Sequence, residues 1–195
     1  TFQQLNTHPL PVLRVDDGVN IRRGLIFGSE LVYNALGLHR HFGDGYMGLS
    51  RLLFKASFGA AFKTKAWEQL SPLLNPPNSP VRVDSVTYPH YAAVVASTVD
   101  LMLAKGWVSG LKVDSQSKGF TTKLILETHK SRLVNLVPTL LRNRRHPKIV
   151  DTSDTEILRV KGPYTLDGEL FQVGPEHVIT VKRDSEYLPV IQESH

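Results

Sequence analysis

Residues 163–183 read PYTLDGELFQVGPEHVITVKR. The pattern within this stretch decides the fold class. Tyr164-Thr-Leu and Leu170-Phe are apolar or β-favouring runs on either side of Asp167-Gly168-Glu169, and Val178-Ile-Thr-Val-Lys alternates in the manner of a strand. Asp-Gly between such runs is a strong hairpin signal, because both turn positions need positive φ and these residues tolerate it. The same turn also carries two carboxylates two residues apart. One at a strand end is well placed to take a proton from an incoming hydroxyl, while the other holds a cation or orients the base. On spacing alone, turn and catalytic readings both stand.

Working outward, the period of two recurs. Leu10 to Val15 reads as a strand closed by the Asp16-Asp17-Gly18 turn, and Arg23 to Phe27 as its hairpin partner. Val81 to Val86, Tyr91 to Val99, Leu101 to Leu103, Thr121 to Leu126, Glu156 to Val160 and Tyr187 to Ile191 are further candidate strands. Two stretches change to helical spacing. Leu49, Leu52, Leu53, Ala56 and Ala60 predict a helix within Tyr46–Phe62, and Leu133, Leu136, Val137, Leu140 and Leu141 predict a second, kinked at Pro138. Between them Asn75-Pro-Pro-Asn-Ser-Pro80 cannot continue a helix. The fold class is therefore α+β, mainly β: an antiparallel β-sandwich with two main helices.

Composition narrows the function. The 195 residues contain no cysteine, which excludes disulfides, thiolate metal sites and cysteine nucleophiles. No apolar run reaches the ~18 residues of a membrane span, since Arg51, Lys55 and Asp100 interrupt the candidates. A cytoplasmic domain, in contact at times with a membrane surface, is the expectation. The net charge of +5 favours anions without choosing among them. Arg142-Asn-Arg-Arg-His146 could grip phosphate, or simply solvate a helix end. His39-Arg-His41 with Asp44 lacks a clear third metal ligand, so no metal site is expected. No nucleophile-elbow glycine pattern, Walker loop or dinucleotide fingerprint is present.

The order of these features resembles the diacylglycerol kinase catalytic family, whose members include sphingosine kinases and bacterial lipid kinases. Leu166-Asp-Gly-Glu-Leu-Phe with Gly174-Pro175 and Val178-Ile-Thr-Val is similar to its closing signature. Leu25 to Val32 is similar to its Gly-Phe-Asp-Ala segment, and Leu133 to His146 to its Leu-rich helix with a basic, His-containing end.

The resemblance implies that residues 1–195 form the C-terminal, substrate-side domain of an NAD kinase-like and diacylglycerol kinase-like fold. An N-terminal nucleotide-binding domain is then absent from this chain, in keeping with its start at Thr1 and its lack of a Gly-Gly-Asp-Gly-Thr loop. The implied activity is transfer of the ATP γ-phosphoryl group to a lipid hydroxyl, with ATP and Mg2+ in the full-length protein and none held by this piece, which alone is expected to be inactive. Asp167 would be the general base, Glu169 its neighbouring acid, and Gly168 the residue that keeps the turn tight. The implied partners are the missing domain, a lipid substrate, a membrane surface and a second copy of the chain, and not nucleic acid. A non-catalytic lipid- or partner-binding domain of the same fold is the alternative. Asp114 to Thr122 stands where the family has an acidic magnesium loop, and there Ser117 and Lys118 replace carboxylates. Phe27-Gly-Ser-Glu30 likewise departs from Gly-Phe-Asp-Ala.

Overall fold

A computed structural model describes residues 6–42, 80–103, 108–113, 117–129, 132–133, 135–136, 139 and 144–192. Two six-stranded sheets face each other. Sheet A has the order β2-β1-β14-β11-β4-β5, with β1 Asn6–Asp16, β2 Ile21–Gly24, β4 Val81–Val83, β5 Val86–Tyr88, β11 Ile157–Lys161 and β14 Val178–Gln192. Sheet B has the order β10-β9-β6-β3-β12-β13, with β3 Ile26–Glu30, β6 Ala93–Ser97, β9 Phe120–Ile125, β10 Ile149–Thr155, β12 Tyr164–Leu166 and β13 Glu169–Phe171. A short ribbon of β7 Leu101–Leu103 and β8 Val108–Leu111 completes the strands among the described residues. Every strand pairing in it is antiparallel.

Alternation explains the sandwich. Leu13, Val15, Val81, Val83, Leu158, Val160, Ile179 and Val181 bury one face of sheet A against Phe27, Val94, Ala96, Phe120, Leu124, Tyr164 and Leu166 of sheet B. Phe27 and Tyr164 stack with ring centroids 5.6 Å apart, and Tyr164 and Phe171 at 5.1 Å, so an aromatic row runs from the core to the β13 edge. In the long β1–β14 ladder the register jumps between Pro11↔Tyr187 and Leu13↔Arg183, which makes a bulge of residues 184–186 opposite Val12. Arg23 holds that bulge through Asp184 Oδ2 at 2.6 Å and Glu186 Oε1 at 3.0 Å.

The helices differ from expectation. Helix α1, Leu31–Phe42, packs on β3, β6, β12 and β13. It went unforeseen: the strand reading stopped at Phe27, and residues 31–42 were assigned no helix. The helix expected within residues 46–62 lies outside the described residues. Of the second expected helix, Arg132, Leu133, Asn135, Leu136 and Thr139 are described and helical. Val81 to Val86 is two strands, turned at Asp84 with φ 51°, and residues 149–155 form a strand that its polar composition hid. No helix among the described residues is long and apolar enough to cross a membrane.

Candidate functional site

The Asp167-Gly168 turn joins β12 to β13 at the edge of sheet B, with φ values of 51° and 87°. These are the two left-handed positions of a tight hairpin, and glycine supplies the second without strain. Asp167 does more than turn the chain. Its N–H donates to Ile26 O at 2.8 Å, and its Oδ1 accepts the N–H groups of Leu25 (2.9 Å) and Ile26 (2.8 Å). Oδ2 also receives the Leu25 N–H, at 3.1 Å.

Leu25 is the corner where the chain leaves β2 in sheet A for β3 in sheet B. Its carbonyl accepts the Ser97 hydroxyl and the Thr98 N–H, both at 3.1 Å. Asp167 therefore closes the corner that joins the two sheets. Gly24 leaves the room: a Cβ there would stand 2.6 Å from Asp167 Oδ2 and from Leu166 Cγ. Glu169, two residues on, is exposed, and among the described residues no hydrogen bond or ion pair engages its side chain. The structure thus anchors one carboxylate of the pair and leaves the other open.

A second group braces the same hairpin, and in sequence it was visible only as a turn. Asp17, 2% exposed, closes its own turn through Oδ1, which accepts the N–H groups of Val19 (3.0 Å) and Asn20 (2.7 Å). Its Oδ2 accepts the Tyr164 hydroxyl at 3.0 Å and the Arg22 guanidinium. Arg22 also donates to the Tyr164 hydroxyl at 2.8 Å and lies 4.4 Å from the centroid of the Phe171 ring. Burial alone would raise the Asp17 pKa, but the Asn20 and Val19 N–H groups, Tyr164 and Arg22 outweigh it and bring it to about 2. Burial foremost, and the Asp17 acceptor, push Tyr164 up to about 12. Asp17, Arg22, Leu170, Phe171 and His177 line an open cleft of about 380 Å3 beside the hairpin.

The other candidates fall elsewhere. His39 and His41 lie in α1, where residues two apart do not share a face, and Asp44 lies outside the described residues. Among the described residues no three His, Cys, Asp or Glu side chains gather as a metal would need. The segment at the place of the magnesium loop is held differently. Asp154 Oδ1 accepts the Ser117 hydroxyl (2.6 Å) and the Gly119 N–H (2.7 Å), and Arg183 Nη1 donates to Ser117 O (2.5 Å) and Gly119 O (3.2 Å). Ser117 and Gly119 hold the Asp154 carboxyl below its usual range. A guanidinium already engages the Ser117 and Gly119 carbonyls, while residues 114–116 of this segment lie outside the described residues. Glu30, in the Gly-Phe-Asp-Ala-like segment, is raised to about 7 by burial, at φ 58°.

No family model and no curated protein matches the chain. Solved structures do. One, named "putative diacylglycerol kinase from Bacillus anthracis str. Sterne", matches 90% of this chain and 54% of its own at 11% identity and a TM-score of 0.50. A second from that organism, under the same name, matches 90% of this chain and 55% of its own at 13% identity and a TM-score of 0.50. The chain has a diacylglycerol kinase-like fold. It spans about half the length of the chains it matches. At this identity the likeness is one of fold, and chemistry must be argued from the side chains.

Proposed function

We propose that this domain is the acceptor side of an ATP-dependent lipid kinase, and that its Asp167-Gly168-Glu169 hairpin receives the lipid hydroxyl. The observation that carries the reading is the division of labour in that turn. Asp167 is tied by three N–H contacts into the corner between the sheets, and Glu169 stands exposed beside it. A base must reach its proton within hydrogen-bond distance and keep a lone pair for it. The sequence expectation gave the proton to Asp167. The hydrogen bonds favour Glu169 for that role, with Asp167 as the positioning residue and Gly168 setting the turn.

In the transfer, the lipid oxygen forms its bond to the γ-phosphorus as the bond to the bridging oxygen of ADP breaks, and the hydroxyl proton passes to the Glu169 carboxylate. ATP on a companion nucleotide-holding domain would supply the phosphoryl group, and Mg2+ held there would neutralise its charge. This domain supplies alignment and the base.

The test uses the full chain carrying this domain, with labelled ATP and diacylglycerol. Glu169→Gln lowers kcat by about 10²- to 10⁴-fold with little change in the lipid KM. Asp167→Asn lowers it less and also lowers Tm. Full activity in Glu169→Gln with loss confined to Asp167→Asn would return the base to Asp167. Lipid binding without transfer in the wild type would leave the non-catalytic domain as the reading.

A further inference from the structure

At the edge of sheet B opposite the acidic hairpin, Lys123 of β9 and Asp151 of β10 stand across the ladder from each other, Nζ 3.2 Å from Oδ2. Lys123 is 8% exposed. Three further cations converge on this pair from other parts of the chain. Lys112 follows β8, and its carbonyl accepts the Thr121 hydroxyl of β9 at 3.1 Å, which fixes its backbone against the sheet. Arg144 and Arg145 sit in a turn held at both ends: the Arg144 N–H donates to Thr139 O at 3.0 Å, and the Ile149 N–H to His146 O at 2.9 Å. His146 Nδ1 accepts the Lys148 N–H at 3.1 Å, so Nε2 carries the proton and is a donor.

Lys112, Lys123, Arg144, Arg145, His146 and Asp151 line an open cleft of about 760 Å3. It sets four fixed cations against one carboxylate, and Lys123 already faces that carboxylate. Among the described residues no ion pair engages Lys112, Arg144 or Arg145. Like charges around one concavity repel, and low-dielectric walls focus their field, so the cleft concentrates anions. The volume is in the range of small-molecule sites, roughly 300–1,000 Å3. Paired guanidinium forks match phosphate oxygens in geometry as well as charge. A phosphomonoester, with a charge of roughly −1.5 to −2 at pH 7, suits the excess of cations better than a singly charged carboxylate.

We propose that this cleft binds a phosphomonoester group, carried either by an anionic lipid headgroup or by a soluble phosphate ester. Strands β6 and β3 separate it from the Asp167 hairpin along the sheet. The site stands on its own cations, and its binding is read whether or not the chain transfers phosphate.

The test measures binding by the full chain at physiological ionic strength to three probes: phosphatidylcholine vesicles containing phosphatidate, pure phosphatidylcholine vesicles, and glycerol 3-phosphate in solution. The wild type binds one of the two phosphomonoester probes and not pure phosphatidylcholine. Preference for the phosphatidate vesicles assigns the lipid source, and preference for glycerol 3-phosphate assigns the soluble one. The double variant Arg144→Ala/Arg145→Ala weakens binding by about tenfold or more, as loss of charge-assisted hydrogen bonds requires. Its Tm stays that of the wild type, because both arginines are exposed. Asp151→Asn strengthens binding by removing the competing carboxylate. Lys182→Ala, an exposed cation on sheet A, changes nothing. Absence of binding to both phosphomonoester probes, or equal weakening by Lys182→Ala and by the arginine pair, would overturn the proposal.

Discussion

At one edge of sheet B, the β12–β13 hairpin presents one carboxylate, Asp167, tied down by backbone N–H groups, and another, Glu169, left open, on a turn backed by an aromatic row that reaches into the core. At the other edge, Lys123 of β9, Lys112 after β8, and Arg144 and Arg145 before β10 place ammonium and guanidinium groups around a cleft. The first edge is braced from the opposite sheet through Asp17, Arg22 and Tyr164. At the second, an ion pair joins a nearly buried lysine to a half-exposed aspartate. One sheet therefore carries a rigid acidic end and a more open basic end. Rigidity is what positioning a base demands. Uncompensated charge is what capturing an anion demands.

The largest way to break this contrast is Phe27→Ala. Removing a fully buried ring that stacks on Tyr164 is expected to cost about 3–5 kcal/mol. If the aromatic row braces the acidic edge, hydrogen exchange will rise in β3, β12 and β13 before β9 and β10. Equal loosening of both edges would erase the difference between them.

Two carboxylates then tilt stability in opposite directions with pH. Glu30 is raised from 4.5 to about 7, so its contribution is fully present below pH ~4.5 and is lost as pH rises through ~7. Glu30→Gln should match the wild type near pH 4 and exceed it near pH 8 by on the order of 2–3 kcal/mol, measured by denaturant unfolding. Asp17 is lowered from 3.8 to about 2, so its contribution is present above pH ~4 and is lost as pH falls through ~2. The difference in stability between the wild type and Asp17→Asn should therefore shrink by on the order of 2 kcal/mol across that window. A constant difference there would mean that Asp17 does not brace the hairpin as an anion.

The smallest effect sharpens the contrast from the basic side. Asp151→Asn should change stability by less than about 1 kcal/mol, since the aspartate end of the pair is half-exposed and water screens it there, while anion affinity rises. A large loss of stability would make the Lys123–Asp151 pair a brace like Asp17.

Much of the fold was legible because alternation and turn chemistry are local. Leu10–Val15, Thr121–Leu126 and Glu156–Val160 announced their strands, and Asp167-Gly168 announced its turn, from residues that touch in sequence. Residues 149–155 did not announce theirs, because burial on the sheet comes from neighbours rather than from their own polar side chains. The Asp167-Gly168-Glu169 candidate was visible as a motif, but which carboxylate is anchored and which is open was not. Arg144 and Arg145 were visible as a cluster, but nothing in the sequence pointed to Lys112 and Lys123 as their companions.

By itself, then, the sequence determined a mainly β chain, its hairpin turns, its lack of thiol chemistry and its excess of positive charge. These follow from side-chain periodicity, backbone preference and composition. Tertiary structure alone decided that the chain changes sheets at Leu25, that Asp17 meets Tyr164 across 147 positions, and that cations from three segments share one cleft. The physical reason is that hydrogen bonds and charge fields depend on distance in space, and sheet pairing creates those distances between residues remote along the chain.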